Sequence, residues 1–382
     1  MKGTASLWRH LTSADAYAPA LAPVTRRFLF GSTLLWLLFH LLVWVIVARI
    51  HHLQWAAMLD NWDSSWYTRI IREGYFKPAW AFYPLYPIVV GGLSKVVALS
   101  IHPQVTGTIL STVLFALYCY LTAELLARRD ERLRGLTPTT RAGWLLFLLS
   151  PASFVFHSHH TESLFLLLSL MGFVLALRPE EGRWVLAAIV GGLAALTRPQ
   201  GVLFAIALAI ASSVSVPDWP RRCLRFAVSG LVSGALYACY PLYQWWVAGD
   251  PWLAQSSQLV WRPEMTALSY LRTFWFGNAW QNTTLGSIER HVGFFALVAS
   301  TALLWHRSRV LALYVGMCVG VIPAAGELVG LFRYGAVLFP ALFVAGERVG
   351  RLHRLLLLAV SCYLLYLNFS LTRRYVLFRW CY

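Results

Sequence analysis

Residues 28–48 read FLFGSTLLWLLFHLLVWVIVA, without a single charged side chain. A run of about 20 apolar residues is the length of helix that crosses the hydrocarbon core of a bilayer. A polar leader, 1–27, precedes it and ends in Arg26-Arg27, and no small-residue cleavage site follows it. It therefore reads as a retained span with the N-terminus in the cytoplasm. Apolar runs of near-spanning length recur as far as residue 370, and the whole chain is 58% hydrophobic and 13% charged. Soluble domains carry about a quarter charged residues. The expected fold is thus an all-α polytopic integral membrane protein, since barrel strands would be shorter and would alternate apolar with polar residues.

The formal charge of +16 invites a nucleic-acid partner, but the arginines fall in short clusters between apolar runs and form no continuous basic face. The positive-inside rule accounts for them instead. Further spans are expected at about 104–127, 142–157, 160–177, 184–197, 200–216, 224–246, 292–305, 309–325, 331–346 and 354–370. Residues 86–100 are apolar but short for a span, and Gly91, Gly92, Ser94 and Lys95 suggest a helix lying in the membrane interface. The resulting eleven-span arrangement puts the clusters at Arg128–Arg134, Arg178/Arg183, Arg221–Arg225, Arg307/Arg309 and Arg348–Arg354 on one side. It makes 28–370 a single membrane domain with a first outer loop at 49–103, a second at 247–291 and a tail at 371–382. Lysine is nearly absent beside abundant arginine, the bias of a high-GC bacterial genome, which suggests a plasma membrane. The six cysteines show no CxxC spacing and read as small buried residues without disulfides.

The opposite, charge-poor side collects the unusual polar residues. In the first outer loop, residues 61–69 read NWDSSWYTR, followed by Phe82-Tyr83-Pro84-Leu85-Tyr86-Pro87. Aromatic walls desolvate a carboxylate and make it a better base, which would suit Asp63 between Trp62 and Trp66. An ordinary aromatic belt at the interface would give the same composition. Of the sixteen acids, only Asp63, Glu162 and Glu327 stand directly against apolar runs on that side, where an ionisable group is costly. The segment from Ser150 to Ser163 joins two spans. Pro151 should end or bend the first, and Ser158 or Thr161 could cap the second. His157, His159, His160 and Glu162 resemble a metal-ligand set, but their spacing matches no zinc motif, so pocket lining is the preferred reading and a divalent cation the lesser one. Arg198 in Thr197-Arg198-Pro199-Gln200-Gly201, and Arg333 before Tyr334, lie on the wrong side for the charge rule. Each needs an anion, either a phosphate that fits its planar fork or an outer acid such as Glu162.

Taken in order from about residue 55 to 345, these motifs resemble the PIG-V family. Its eukaryotic members add the second mannose of the glycosylphosphatidylinositol anchor. They belong to the GT-C class of membrane glycosyltransferases, which use polyprenyl-phosphate sugars on the non-cytoplasmic face. The resemblance implies a dolichyl- or polyprenyl-phosphate mannose donor and inverting transfer with Asp63 as the base. A bacterium has no such anchor, so the family's acceptor does not carry over, and the expected partner is a lipid or glycan acceptor. Arg198 and Arg333 are then candidates for the donor phosphate. Trp62, Trp66, Tyr67, Tyr83, Tyr86, His159, His160, Glu162, Gln200 and Tyr334 would line the substrate pocket. The family carries a tyrosine-bearing segment where this chain has His159-His160. A transporter or flippase is the main rival, with internal repeats and mid-span charges as its signatures. A structural partner subunit of another membrane enzyme is a third reading.

Overall fold

The computed structural model describes residues 21–96, 102–128, 130–178, 183–214, 216–260, 285–325, 330–379 and 381. Every regular element among them is helical, and β-pairing is confined to an isolated bridge between Pro23 and Thr140. The molecule is an all-α polytopic membrane protein. Glu327, the 1–20 part of the leader and most of the second outer loop (261–284) lie outside the described residues.

The first span is α1 (Arg26–Ile50), capped by the Thr25 hydroxyl, which accepts from Phe28 N. Two short helices follow, α2 (Trp55–Met58) and α3 (Asp63–Glu73), then α4 (Leu85–Val96). At 1.5 Å per residue, the twelve residues of α4 extend about 18 Å, well short of a core about 30 Å thick. It buries Tyr86, Pro87 and Val90 and leaves Ile88 exposed, as a helix wedged between α3 and its successor should. That successor is α5 (Pro103–Arg128).

The expected span at 142–157 is broken. Helix α6 (Arg141–Leu148) stops before Pro151, and residues Ser153–His157 wind into a 3-10 turn. Proline removes a backbone donor and clashes with the preceding turn, so the chain changes course there. Three tightly packed helices come next: α7 (Glu162–Ala176), α8 (Arg183–Ala195) and α9 (Gln200–Val214). Helix α10 (Trp219–Ala248) is capped by Asp218 and ends at Gly249. The short α11 (Leu253–Gln258) leads towards α12 (Leu285–Trp305) and α13 (Arg309–Val321).

The expected span at 331–346 is likewise two pieces, α14 (Leu331–Ala336) and α15 (Phe339–Val349), with Pro340 in the first turn of the second. The last helix, α16 (Arg354–Val376), runs beyond the expected end at 370 and packs along α1. By length and composition α1, α5, α10 and α16 can each cross a membrane, while α4, α7, α8, α9 and α13 are shorter apolar helices.

One apolar core unites these elements, with Phe115, Phe147, Phe156, Phe204 and Tyr314 fully buried at its centre. A second, smaller cluster of Trp80, Tyr83, Tyr240, Leu253 and Ala254 ties the segment between α3 and α4 to α10 and α11. There the Tyr240 hydroxyl donates to the Trp80 carbonyl over 2.7 Å. Leu85 N also donates to Leu196 O, across 2.9 Å, at the end of α8. These contacts fix residues 80–85 against α10, α11 and the end of α8.

Candidate active site

Four charged side chains from four separated parts of the sequence meet at one point. Asp63 opens α3, Glu162 opens α7, Arg198 lies in the turn between α8 and α9, and Arg333 lies in α14. Arg333 Nη1 pairs with Asp63 Oδ2, and its Nε pairs with Glu162 Oε1. Arg198 Nη1 lies 2.9 Å from the same Glu162 oxygen. Two acids and two guanidiniums therefore form a neutral chain, Asp63–Arg333–Glu162–Arg198. The side chain of Glu162 is 0% exposed, Arg198 5%, Arg333 10% and Asp63 25%. Exposure falls from Asp63 through Arg333 to Glu162, and Asp63 is the acid that an incoming molecule can touch.

Local structure explains each position. Asp63 stands in the first turn of α3, where the partial positive charge of a helix N-terminus favours a carboxylate. Trp62, just before it, holds φ 56°, an uncommon conformation for a non-glycine residue. The indole compensates by donating to Arg379 O at 3.0 Å and stacking on Phe378. Trp66 stacks on Phe82 and packs against Phe76. The two tryptophans thus have other partners, and the ion-pair partner of Asp63 is Arg333. Glu162 also stands in a first helical turn, but the expected cap is absent: the Thr161 side chain makes no capping bond. Gly330 precedes α14 at φ 77°, and a Cβ there would press to 3.0 Å on the Tyr334 ring.

Tyr334 lies under the Arg198 guanidinium, 5.7 Å from its ring centroid, with Phe165 at 5.6 Å. Gln200 Nε2 donates to Tyr334 O over 3.4 Å. Tyr67 turns its ring edge-on to Tyr86 and His159. Burial first, and the Asp63 carboxylate second, push its phenol above the ordinary value, so it remains a neutral hydrogen-bonding group. The Tyr86 hydroxyl is 3.0 Å from His159 Nδ1, 3.0 Å from Ser111 Oγ and 3.2 Å from Gly107 O. His160 Nδ1 pairs with Ser158 Oγ at 2.8 Å, while His157 packs against His40, Trp36 and Trp44. Their three rings turn to three different neighbourhoods, and among the described residues no group of three or more His, Cys, Asp or Glu is placed to hold a metal ion. Tyr83 belongs to the smaller aromatic cluster with Tyr237 and Tyr240, away from the charge chain.

Several residues at the site have no role assigned to them from the sequence. Ser64, beside Asp63, reaches His159 O and the Tyr375 hydroxyl, each over 3.0 Å. Asn61 Nδ2 donates to Tyr375 O at 2.7 Å and Val376 O at 3.2 Å. The end of α16, expected to be a tail, is therefore the strap that holds the Asp63 loop. Its only signal is the apolar stretch Tyr375-Val376-Leu377-Phe378 behind Arg373-Arg374.

Residues 38–213, just under half of the chain, match the family described as mannosyltransferase (PIG-V). The matched stretch contains Asp63, Glu162 and Arg198 but ends before Arg333. No curated protein and no solved structure matches the chain. The family match and the apolar helices support a membrane mannosyltransferase.

Proposed function

We propose that this PIG-V-like chain transfers mannose from a polyprenyl-phosphate donor to a lipid-linked or glycolipid acceptor on the extracytoplasmic face, with inversion at the anomeric carbon and Asp63 as general base. The observation that carries the reading is the graded burial of the charge chain, which leaves a single acid reachable beside two buried guanidiniums.

The chemistry then divides between the residues. Asp63 takes the proton from the acceptor hydroxyl as that oxygen bonds to the anomeric carbon. The bond between that carbon and the phosphate oxygen breaks, and its electron pair leaves with polyprenyl phosphate. Charge grows on the phosphate, so fixed cations there lower the barrier. Arg333 is the nearer guanidinium, and Arg198 reinforces it through Glu162. A donor phosphate arriving beside Arg333 competes with Asp63 for the same fork, which releases the carboxylate for the acceptor. Tyr67, His159, His160, Gln200 and Tyr334 border the chain and would position sugar and acceptor. The ion pairs of the resting protein also fit a purely structural role for both arginines, which is why transfer itself must be measured.

The test is incubation of the purified protein with labelled polyprenyl-phosphate mannose and a panel of lipid acceptors. Labelled product with the anomer opposite to that of the donor is expected. Retention of configuration, or transfer from a sugar nucleotide alone, would overturn the reading. The transporter rival predicts movement of substrate between vesicle leaflets without any new glycosidic bond.

A further inference from the structure

Away from the charge chain, an apolar groove of about 280 Å³ opens between the ends of α1, α6, α15 and α16. Phe28, Leu145, Leu149, Val349, Leu357 and Leu364 line it, and one cation, Arg141, enters it. We infer that this groove binds an anionic phospholipid, with the headgroup phosphate on Arg141 and the start of an acyl chain along the apolar wall.

The electrostatics select that occupant. Arg141 lies over the Phe28 ring, 5.1 Å from its centroid, and its buried Nε has no hydrogen-bond partner among the described residues. Among the described residues no acid lines the groove. The nearest acid in sequence to that lining, Glu347, is taken up by Arg307 and Thr139. Arg27 and Arg348, both exposed, immediately precede the lining residues Phe28 and Val349. A guanidinium suits phosphate geometrically, and an apolar wall beside it suits a chain that carries its own phosphate. This end of the molecule bears the arginine clusters, and by the charge rule it meets the leaflet where anionic lipids attract basic residues. The volume lies near the lower limit of small-molecule sites, room for part of one acyl chain and not for a whole lipid.

The experiment uses the full chain reconstituted in phosphatidylcholine vesicles containing phosphatidylglycerol with a photoreactive group near the head of its acyl chain. Cross-linked peptides are mapped by mass spectrometry. Label is expected on the α6 and α16 segments that hold Leu145, Leu149, Leu357 and Leu364. Unlabelled phosphatidylglycerol should displace it far better than added phosphatidylcholine. Arg141→Gln should lower labelling about fivefold, the equivalent of one cation near an anionic surface, and Arg141→Lys should keep part of it. Equal displacement by both lipids would overturn the inference, as would unchanged labelling in a folded Arg141→Gln protein. So would cross-links that place residues 1–20 in the groove instead of lipid. Should the glutamine variant not fold, the competition in the unaltered protein still decides.

Discussion

Glu162 holds two guanidiniums, one from the turn between α8 and α9 and one from α14, on a carboxylate with no exposure to solvent. Removing one member of a buried ion pair leaves its partner uncompensated, which costs about 3–5 kcal/mol. Glu162→Gln should therefore destabilise the protein by about that amount, read as a lowered thermal midpoint in detergent. Arg333 would lose one of its two carboxylates and swing towards Asp63, so surviving protein should bind donor more weakly as well. An unchanged midpoint would mean that the two arginines find other partners. Sequence alone left Arg198 and Arg333 between a phosphate and an outer acid, because a lone cation on the wrong side of a membrane says only that it needs an anion. The geometry adds that Glu162 is that anion in the resting protein.

Among the elements, α5 and the segment after Pro151 approach closely enough to demand a glycine. A Cβ on Gly107 would fall 1.7 Å from His159 Nδ1, in the same place where Tyr86 and Ser111 converge. Gly107→Ala must displace the histidine, and overpacking of this kind costs about 1–3 kcal/mol. Gly107→Ala combined with His159→Ala should recover much of that loss, and chemical or thermal denaturation of the four proteins in the cycle measures it. Strict additivity would show that the two residues do not collide. The helices themselves were mostly legible, since a sustained apolar run with an arginine cluster at one end has few other readings. The breaks in the expected spans at 142–157 and 331–346 were legible only in part. Pro151 marked the first. The second falls between Ala336 and Phe339, where Pro340 stands just beyond it but Val337-Leu338-Phe339 continue the apolar run. The strap formed by Tyr375 was scarcely legible, because its role rests on hydrogen bonds to residues more than 300 positions away.

For the whole molecule, the eleven-span arrangement predicts which faces meet the outside. The exposed positions Gln54 and Trp252 stand for the outer loops, and exposed Arg132 and Arg348 for the arginine-rich ends. Single cysteines at the first two should react with an impermeant thiol reagent added to intact cells, and cysteines at the last two should not. Cys223, Cys239 and Cys362, exposed on the protein surface, must be replaced first. Labelling of all four from one side would separate the charge chain from the outer face. The family resemblance was visible because its motifs come from short contiguous segments. What the fold adds is that the segments of Asp63, Glu162 and Arg198 meet, together with Arg333, in one chain of ion pairs.

In the proposed mechanism Asp63 is the point at which transfer stands or falls. Asp63→Asn keeps the shape of the side chain but cannot accept the acceptor's proton. Single-turnover transfer of labelled mannose should fall by about two to four powers of ten, the usual effect of losing a general base. Donor binding, measured on the same folded protein, should be nearly intact or stronger, since Arg333 would no longer be shared with a charged Asp63. Transfer at the unaltered rate by the Asp63→Asn protein would contradict the assignment, and more so if Glu162→Gln abolished it.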